Sequence, residues 1–228
     1  MHNIGVIIKK QIKDTLKNKT VLIQFVMFPV LTLIFEHAIN IPDMPEFFFT
    51  KLFSVMYMGM APLTAVASII AEEKEKNTLR VLTMANVKAW EYLAGIGIYV
   101  WTICMAGAGV MATTLSDGDI LFYLGVMTIG FLISIAVGAC IGIIASNQMV
   151  ATSLSLPVML VFSFIPMLAM FNDKIEKVAG IFYTQQIREI LGNMTFEGIK
   201  TENMLVVAVN AILALTLFFV AFKRKGLE

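Results

Sequence analysis

The chain has 228 residues, 58% of them apolar and only 14% charged, with 17 Lys and Arg against 16 Asp and Glu for a formal net charge of +1. That balance excludes a water-clad globular domain and places the chain among membrane proteins. Two histidines and two cysteines, scattered along the sequence, offer no metal-ligand spacing, and Cys104 and Cys140 read as small apolar packing residues.

The first nineteen residues are lysine-rich. At helical spacing Ile4, Ile8, Ile12 and Leu16 form one stripe while Lys9, Lys10, Lys13 and Lys17 occupy the adjoining face. The pattern predicts an amphipathic helix over residues 1–19, its isoleucines in lipid and its lysines at anionic headgroups. No small-x-small cleavage site follows, so the segment is expected to be retained.

Four runs without Asp, Glu, Lys or Arg come next in order: Thr20 to Phe35, Leu52 to Ala71, Tyr92 to Ser116 and, at the end, Asn203 to Phe222. Crossing a bilayer takes roughly 20 such residues, so the first run needs the margin up to Ile41. Ile120 to Asn172 is uncharged for 53 residues. As one helix it would be about 80 Å long against a hydrocarbon core of about 30 Å, so it is two spans turning at Ser146-Asn147-Gln148. The expected fold is an all-α membrane protein with six transmembrane helices at about 20–41, 52–71, 91–116, 120–145, 149–171 and 203–222, because lipid offers backbone groups no partners and the runs lack barrel alternation. Pro62, Pro157 and Pro166 interrupt backbone bonding in the second and fifth spans. Ser134, Gly138, Gly142 and Ser146 recur every four residues, a small-residue ridge for close helix packing.

Twelve of the 17 Lys and Arg fall on the side of the two termini and the 72–90 loop, and five on the other. By the positive-inside rule both termini and residues 72–90 are cytoplasmic, and 172–202 is an extracellular helical segment. In that segment Ile175, Val178, Ile181 and Phe182, then Ile187, Ile190 and Leu191, recur at helical spacing. Two short helices are expected to bury these faces against the outer ends of the fifth and sixth spans, with Arg188 and the other charges in water.

No charged residue lies deep in a span, which argues against ion-coupled transport. No Gly-x-x-x-x-Gly-Lys loop is present, so ATP chemistry would need another polypeptide. The pair Glu72-Glu73 opens an intramembrane-protease motif, yet Asn77 stands where that motif needs Arg and the later histidines are missing. The chain is not expected to be an enzyme.

The 72–90 loop opens with Glu72-Glu73-Lys74-Glu75-Lys76-Asn77-Thr78-Leu79-Arg80-Val81-Leu82. Glu72 with Lys76 and Glu73 with Lys76 are spaced to pair on a helix that projects beyond the membrane, and Leu79, Leu82 and Met84 supply a short apolar face. This run, with Trp90-Glu91-Tyr92-Leu93-Ala94-Gly95 after it, resembles the loop of the type-2 ATP-binding-cassette (ABC) permeases, in which a Glu-x-Glu stretch precedes Gly-Thr-Leu and a leucine pair. Asn77 replaces the usual Gly, Ala85-Asn86 stands where Pro is common, and Ile96 replaces a frequent Lys. Of L-residues, Asn adopts the left-handed turn most readily.

The resemblance implies the permease subunit of an exporter in a bacterial plasma membrane, paired with a second permease subunit, in contact with membrane lipid, and driven by two cytoplasmic ABC ATPase subunits that bind the ATP and Mg. It makes Glu72, Glu73, Glu75, Thr78, Leu79 and Leu82 the ATPase-coupling residues. It makes Ile175, Val178, Phe182 and Ile187 an outer gate. The uncharged spans suit a hydrophobic or amphipathic cargo such as an antibiotic, a peptide or a lipid-like molecule, and no nucleic-acid partner is expected. The competing reading is a non-transporting sensor or assembly anchor that binds a cytoplasmic partner through the same loop.

Overall fold

In a computed structural model of the chain the uncharged runs are helical, and no strand occurs among the described residues. Residues 1, 18, 40, 43, 80–83, 85–86, 196–197 and 226–228 lie outside that description, as do the side chains of 2–3, 16–17 and 19–21. The helices are α1 (His2–Lys17), α2 (Lys19–Ala38), α3 (Phe48–Glu75), α4 (Ala89–Ala112), α5 (Ile120–Ile144), α6 (Gln148–Ala169), α7 (Asp173–Ala179), α8 (Tyr183–Asn193) and α9 (Thr201–Lys225). Five of them, α3, α4, α5, α6 and α9, are long and apolar enough to cross a membrane. α2 is 20 residues long, and its described apolar stretch is Leu22–Ala38.

The polar cluster at 146–148 makes the expected break. α5 stops at Ile144, and the Asn147 side chain accepts the Val150 amide at 2.9 Å, satisfying a donor that the start of α6 would otherwise leave unpaired. Pro29, Pro62, Pro157 and Pro166 all lie inside continuous helices.

α3 is the hub. In its most apolar 18-residue window 83% of residues are buried, against 11% in α9, so α3 is wrapped by protein while α9 turns most of its surface outward. Apolar helices gain little from associating in lipid, so close approach and hydrogen bonds decide which faces meet. On α5 the ridge runs Gly130, Ser134, Gly138, Gly142. A Cβ at Gly138 would strike the Leu63 carbonyl oxygen of α3, one at Gly142 would lie 2.8 Å from the Ile70 Cβ, and Gly130 makes room for the Met58 side chain. The Ser134 hydroxyl donates to the Met58 carbonyl at 2.6 Å. Ser146, the expected fourth member, is exposed beyond the end of α5, and Gly130 extends the ridge at the other end instead. α3 also meets α6 through Gly59, whose Cβ would lie 2.8 Å from the Phe162 backbone carbon, and the Ser163 hydroxyl donates to the Met56 carbonyl at 3.1 Å. Cys104 is fully buried in this core and both thiols are free.

Glu75, Gln148, Ile144 and Lys225 meet at one end of the bundle, called here the basic end. Glu36, Thr50, Thr114 and Gly192 meet at the opposite end.

The segment after α6 departs from expectation. α7 descends into the bundle and α8 climbs back out. The Tyr183 hydroxyl, at the start of α8, hydrogen-bonds Ser134 at 2.6 Å, and the Asn210 amide of α9 donates to the Ile181 carbonyl at 2.9 Å. Ser134 bonds to Met58, ten residues into α3, and Asn210 is nine residues into α9, so the turn between α7 and α8 lies about 15 Å below the opposite end at ~1.5 Å per residue. The helices therefore do not sit on the ends of the fifth and sixth spans alone; α8 also packs on α3 and α5. Ile187, Ile190 and Leu191 are buried as expected. Val178 and Ile181 are 57% and 62% exposed, against expectation, and Arg188 is partly buried, its Nε donating to Gln185 at 3.0 Å.

The ridge sets the first prediction. Gly138→Val places branched carbons against the α3 backbone, which no rotamer relieves, and should destabilise the fold by about 3 kcal/mol or more, read as a lost monodisperse peak and lowered thermal midpoint in detergent. Gly125→Ala, with no atom within 4 Å of the added carbon, should leave both unchanged.

Candidate functional site

α3 runs past its apolar stretch into four charged residues, and each of them is tied to something different. Glu72 pairs with Lys76 one turn on, which holds the Lys76 ammonium above the ordinary lysine value. Glu73 accepts from the Lys10 ammonium at 2.6 Å and the Gln11 amide at 2.7 Å, both on α1. The Lys74 ammonium donates to the Ile143 carbonyl in the last turn of α5 at 2.8 Å. Glu75 accepts the Gln148 amide, the first residue of α6, at 3.0 Å.

The last two contacts follow from helix-end physics. The final turn of a helix leaves carbonyls unpaired and carries partial negative charge, while the first turn leaves N–H groups and partial positive charge. A lysine on the end of α5 and a glutamate on the start of α6 therefore each match their terminus. Lys225 reaches the Ile144 carbonyl at 3.3 Å, so the turn from α5 to α6 is also held by the end of α9.

Glu73 is the buried member. Its side chain is 8% exposed and that of Lys10 34%. The pair expected between Glu73 and Lys76 does not form, because Lys76 is engaged by Glu72 on the outer face and Glu73 points towards α1. α1 is seated accordingly: Ile7 fits against Gly95, where an added Cβ would lie 2.9 Å away, and the Tyr99 hydroxyl donates to Thr15. Its protein-facing side is thus Ile7, Gln11 and Thr15. In the isoleucine stripe read from the sequence, Ile12 is 46% exposed and Ile8 partly buried, so that stripe faces the surroundings of the bundle; the Leu16 side chain lies outside the described residues.

Asn77 ends the helix in the left-handed conformation, φ 56°. The turn expected of a Gly at this position therefore survives with Asn, the non-Gly residue best suited to it. Of the remaining coupling residues Thr78 is partly exposed, Leu79 is 6% exposed and packed into the core, and Leu82 lies outside the described residues. Met84 in the same loop is 75% exposed.

The four gate residues do not share one surface. Val178 points outward, Ile175 is partly buried, the Phe182 ring packs on Phe162 with centroids 6.0 Å apart, and Ile187 is buried against Gly130. Phe162 also packs on Tyr183, centroids 5.1 Å apart. Sequence reasoning missed Lys10, Gln11 and Tyr183. The stripe Ile7-Gln11-Thr15 was the available signal, hidden beside a more apolar one.

Nothing in this cluster pairs a nucleophile with a base. It is a structural joint, in which three successive side chains, Glu73, Lys74 and Glu75, fasten one helix end to α1, α5 and α6. A family model described as ABC-2 family transporter protein matches residues 3–222, nearly the whole chain, and the chain belongs to that family. Among curated proteins none matches it.

The joint makes two energetic predictions. Glu73→Ala leaves a buried amide and a half-buried ammonium without their acceptor and should cost about 2 kcal/mol or more in thermal unfolding, with Lys10→Met and Glu73→Ala non-additive in a double-mutant cycle; strict additivity would mean that the pair does not fasten α1. Asn77→Gly should be neutral, whereas Asn77→Val should lose about 1–2 kcal/mol.

Proposed function

We propose that this ABC-2 family member is the permease subunit of an exporter, working beside a second permease subunit and driven by two cytoplasmic ATPase subunits that bind the ATP and Mg. The observation that carries this reading is the joint at the end of α3. A loop whose root is fastened to α1, α5 and α6 cannot absorb a displacement locally, so a push on residues 76–88 moves the helix ends together. α3 then runs from that loop to the re-entrant α7–α8 turn, which it holds through Met58 and Ser134.

In this reading Glu72, Glu75, Thr78, Leu79 and Leu82 form or support the surface that meets the ATPase. Glu73 acts from inside, through α1. At the opposite end Phe182 and Tyr183, packed on Phe162, are the part of the hairpin placed to open and close a path between two permease subunits, with Ile187 as its anchor in the core and Ile175 and Val178 towards the neighbouring subunit. The path is apolar. Its cargo is hydrophobic or amphipathic, an antibiotic, a peptide or a lipid-like molecule, and moves outward. α2 serves as the sixth span. The basic end, with both termini, is cytoplasmic in a bacterial plasma membrane, on the strength of the Lys/Arg imbalance.

Cysteines at Lys76, Ser146 and Lys225 should be protected from an impermeant thiol reagent in intact cells, while one at Asp117 labels; labelling at Lys76 would reverse the orientation. Glu75→Ala and Leu79→Asp should lower transport-stimulated ATP hydrolysis at least about tenfold with membrane insertion intact, a loss of about 1.4 kcal/mol of coupling. A thiol crosslink between cysteines at 162 and 182 should stop export without affecting ATP binding, and undiminished export with the link formed would show that the hairpin does not move.

A further inference from the structure

α4 and α9 both pack on α5 and make at most marginal contact with each other, which leaves a groove of about 660 Å³ along the outside of the bundle. α5 is its floor, with Ala136 and Ala139 giving it depth. Trp90, Leu93 and Ala94 form one wall, and Ala211 with Leu215, Phe218, Phe219 and Phe222 form the other. All of the lining residues are apolar. A polar or charged ligand body is excluded, since its groups would find no partner there.

The groove has a definite level. It begins at the basic end, where Trp90 is the second residue of α4 and Phe222 lies three residues before the end of α9. It stops at Ile129 and Ala211, each nine or ten residues from the opposite ends of their helices. From Phe222 to Ala211 is about 16 Å of helix, close to half of a hydrocarbon core of about 30 Å. The groove therefore spans one leaflet and no more.

Cations flank its open end along the chain. Lys88 precedes Trp90, and Lys223, Arg224 and Lys225 follow Phe222, all of them exposed. Basic residues at the mouth of an apolar cleft between spanning helices suit an anionic lipid headgroup, and a tryptophan at the interface level suits the glycerol region below it.

The geometry points to this groove as a binding site for an anionic phospholipid of the basic-end leaflet, its acyl chains between α4 and α9 and its phosphate drawn by the exposed cations Lys88, Lys223 and Arg224. The lipid fills the gap that α4 and α9 leave, so it is a structural element of the bundle rather than the transported cargo. A second copy of the chain fits this face less well, because a like set of exposed cations would be brought against the first.

The protein has two tryptophans, and Trp90 lines the groove. In a Trp101→Phe background, Trp90 fluorescence in phosphatidylcholine vesicles reports which chains lie beside it. Phosphatidylglycerol brominated on its acyl chains should quench at a mole fraction about fivefold or more below that needed with brominated phosphatidylcholine. The triple change Lys88→Gln, Lys223→Gln and Arg224→Gln should erase that preference while leaving quenching by phosphatidylcholine unaltered. Ala136→Leu with Ala211→Leu, which fill the groove with carbon, should reduce quenching by both lipids, with an unchanged elution profile showing that the fold is intact. Equal quenching by the two lipids in the parent protein overturns the proposal. So does a preference that survives the triple change, or efficient crosslinking of two copies through cysteines at Ile129 and Leu215.

Discussion

The fold depends on how closely two helix backbones can approach. In lipid an apolar side chain gains almost nothing by leaving hydrocarbon for a neighbouring helix, so association needs the extra dispersion and hydrogen bonding that only short interaxial distances give. α3 and α5 reach that distance because three glycines and a serine, spaced by four, present a smooth ridge, and because Ser134 converts the approach into a bond to the Met58 carbonyl. α6 uses the same device at Gly59. Everything else is organised around the helix these contacts bury: α8 hangs from Ser134 through Tyr183, and α1 from Glu73 at the other end of α3.

The charged end of α3 shows how a membrane protein can use ionic groups without a large desolvation cost. Three of the four side chains there, Glu72, Lys74 and Glu75, are themselves partly exposed, and two of them answer the partial charges at helix termini, so each of these charges keeps some hydration or meets a fixed dipole. Glu73 alone is buried. Its isolated charge would be strongly disfavoured, yet two donors converge on one of its oxygens, and removal of either side would leave a buried group unmatched. The contact therefore specifies the seat of α1 more than it adds net stability.

Much of the fold could be read from residue types because charge and chain length are strong signals in a bilayer. The uncharged runs become helices, the 53-residue run divides at Asn147, and Asn77 turns left-handed where a Gly was expected. The α3–α5 ridge was legible apart from its register, which shifted by one step because α5 ends at Ile144, before Ser146. What failed was the direction of apolar faces. In water a periodic apolar stripe faces a core; in a membrane lipid is as apolar as the core, so Val178 and Ile181 can face outward and the period cannot say which. The partner of Glu73 was illegible for a different reason. Lys10 lies 63 residues away in sequence, and a local lysine three residues on offered a simpler pairing.

The depth of the α7–α8 hairpin follows from the same accounting of polar groups. Non-helical backbone at membrane depth is tolerated only where protein satisfies it. Here the turn's carbonyls are met from two sides: Gln186 donates to Gly180 at 2.6 Å and Asn210 to Ile181 at 2.9 Å. Asn203 then donates to both Gln186 and Glu189, and Gln185 joins Glu189 to Arg188, which carries the network towards the opposite end of the bundle. Residues that look like a polar surface in the sequence are thus the means by which a short helix can start about 15 Å inside the bundle. That network binds α8 to α9, Tyr183 binds it to α5, Lys51 of α3 donates to the Gly192 carbonyl at 3.2 Å, and α7 packs chiefly on α6, so the hairpin is joined to four spanning helices. In the proposed exporter a displacement of these helices at the basic end would therefore be carried into the hairpin, and the outward face of α7, with Val178 57% exposed, leaves it room to follow.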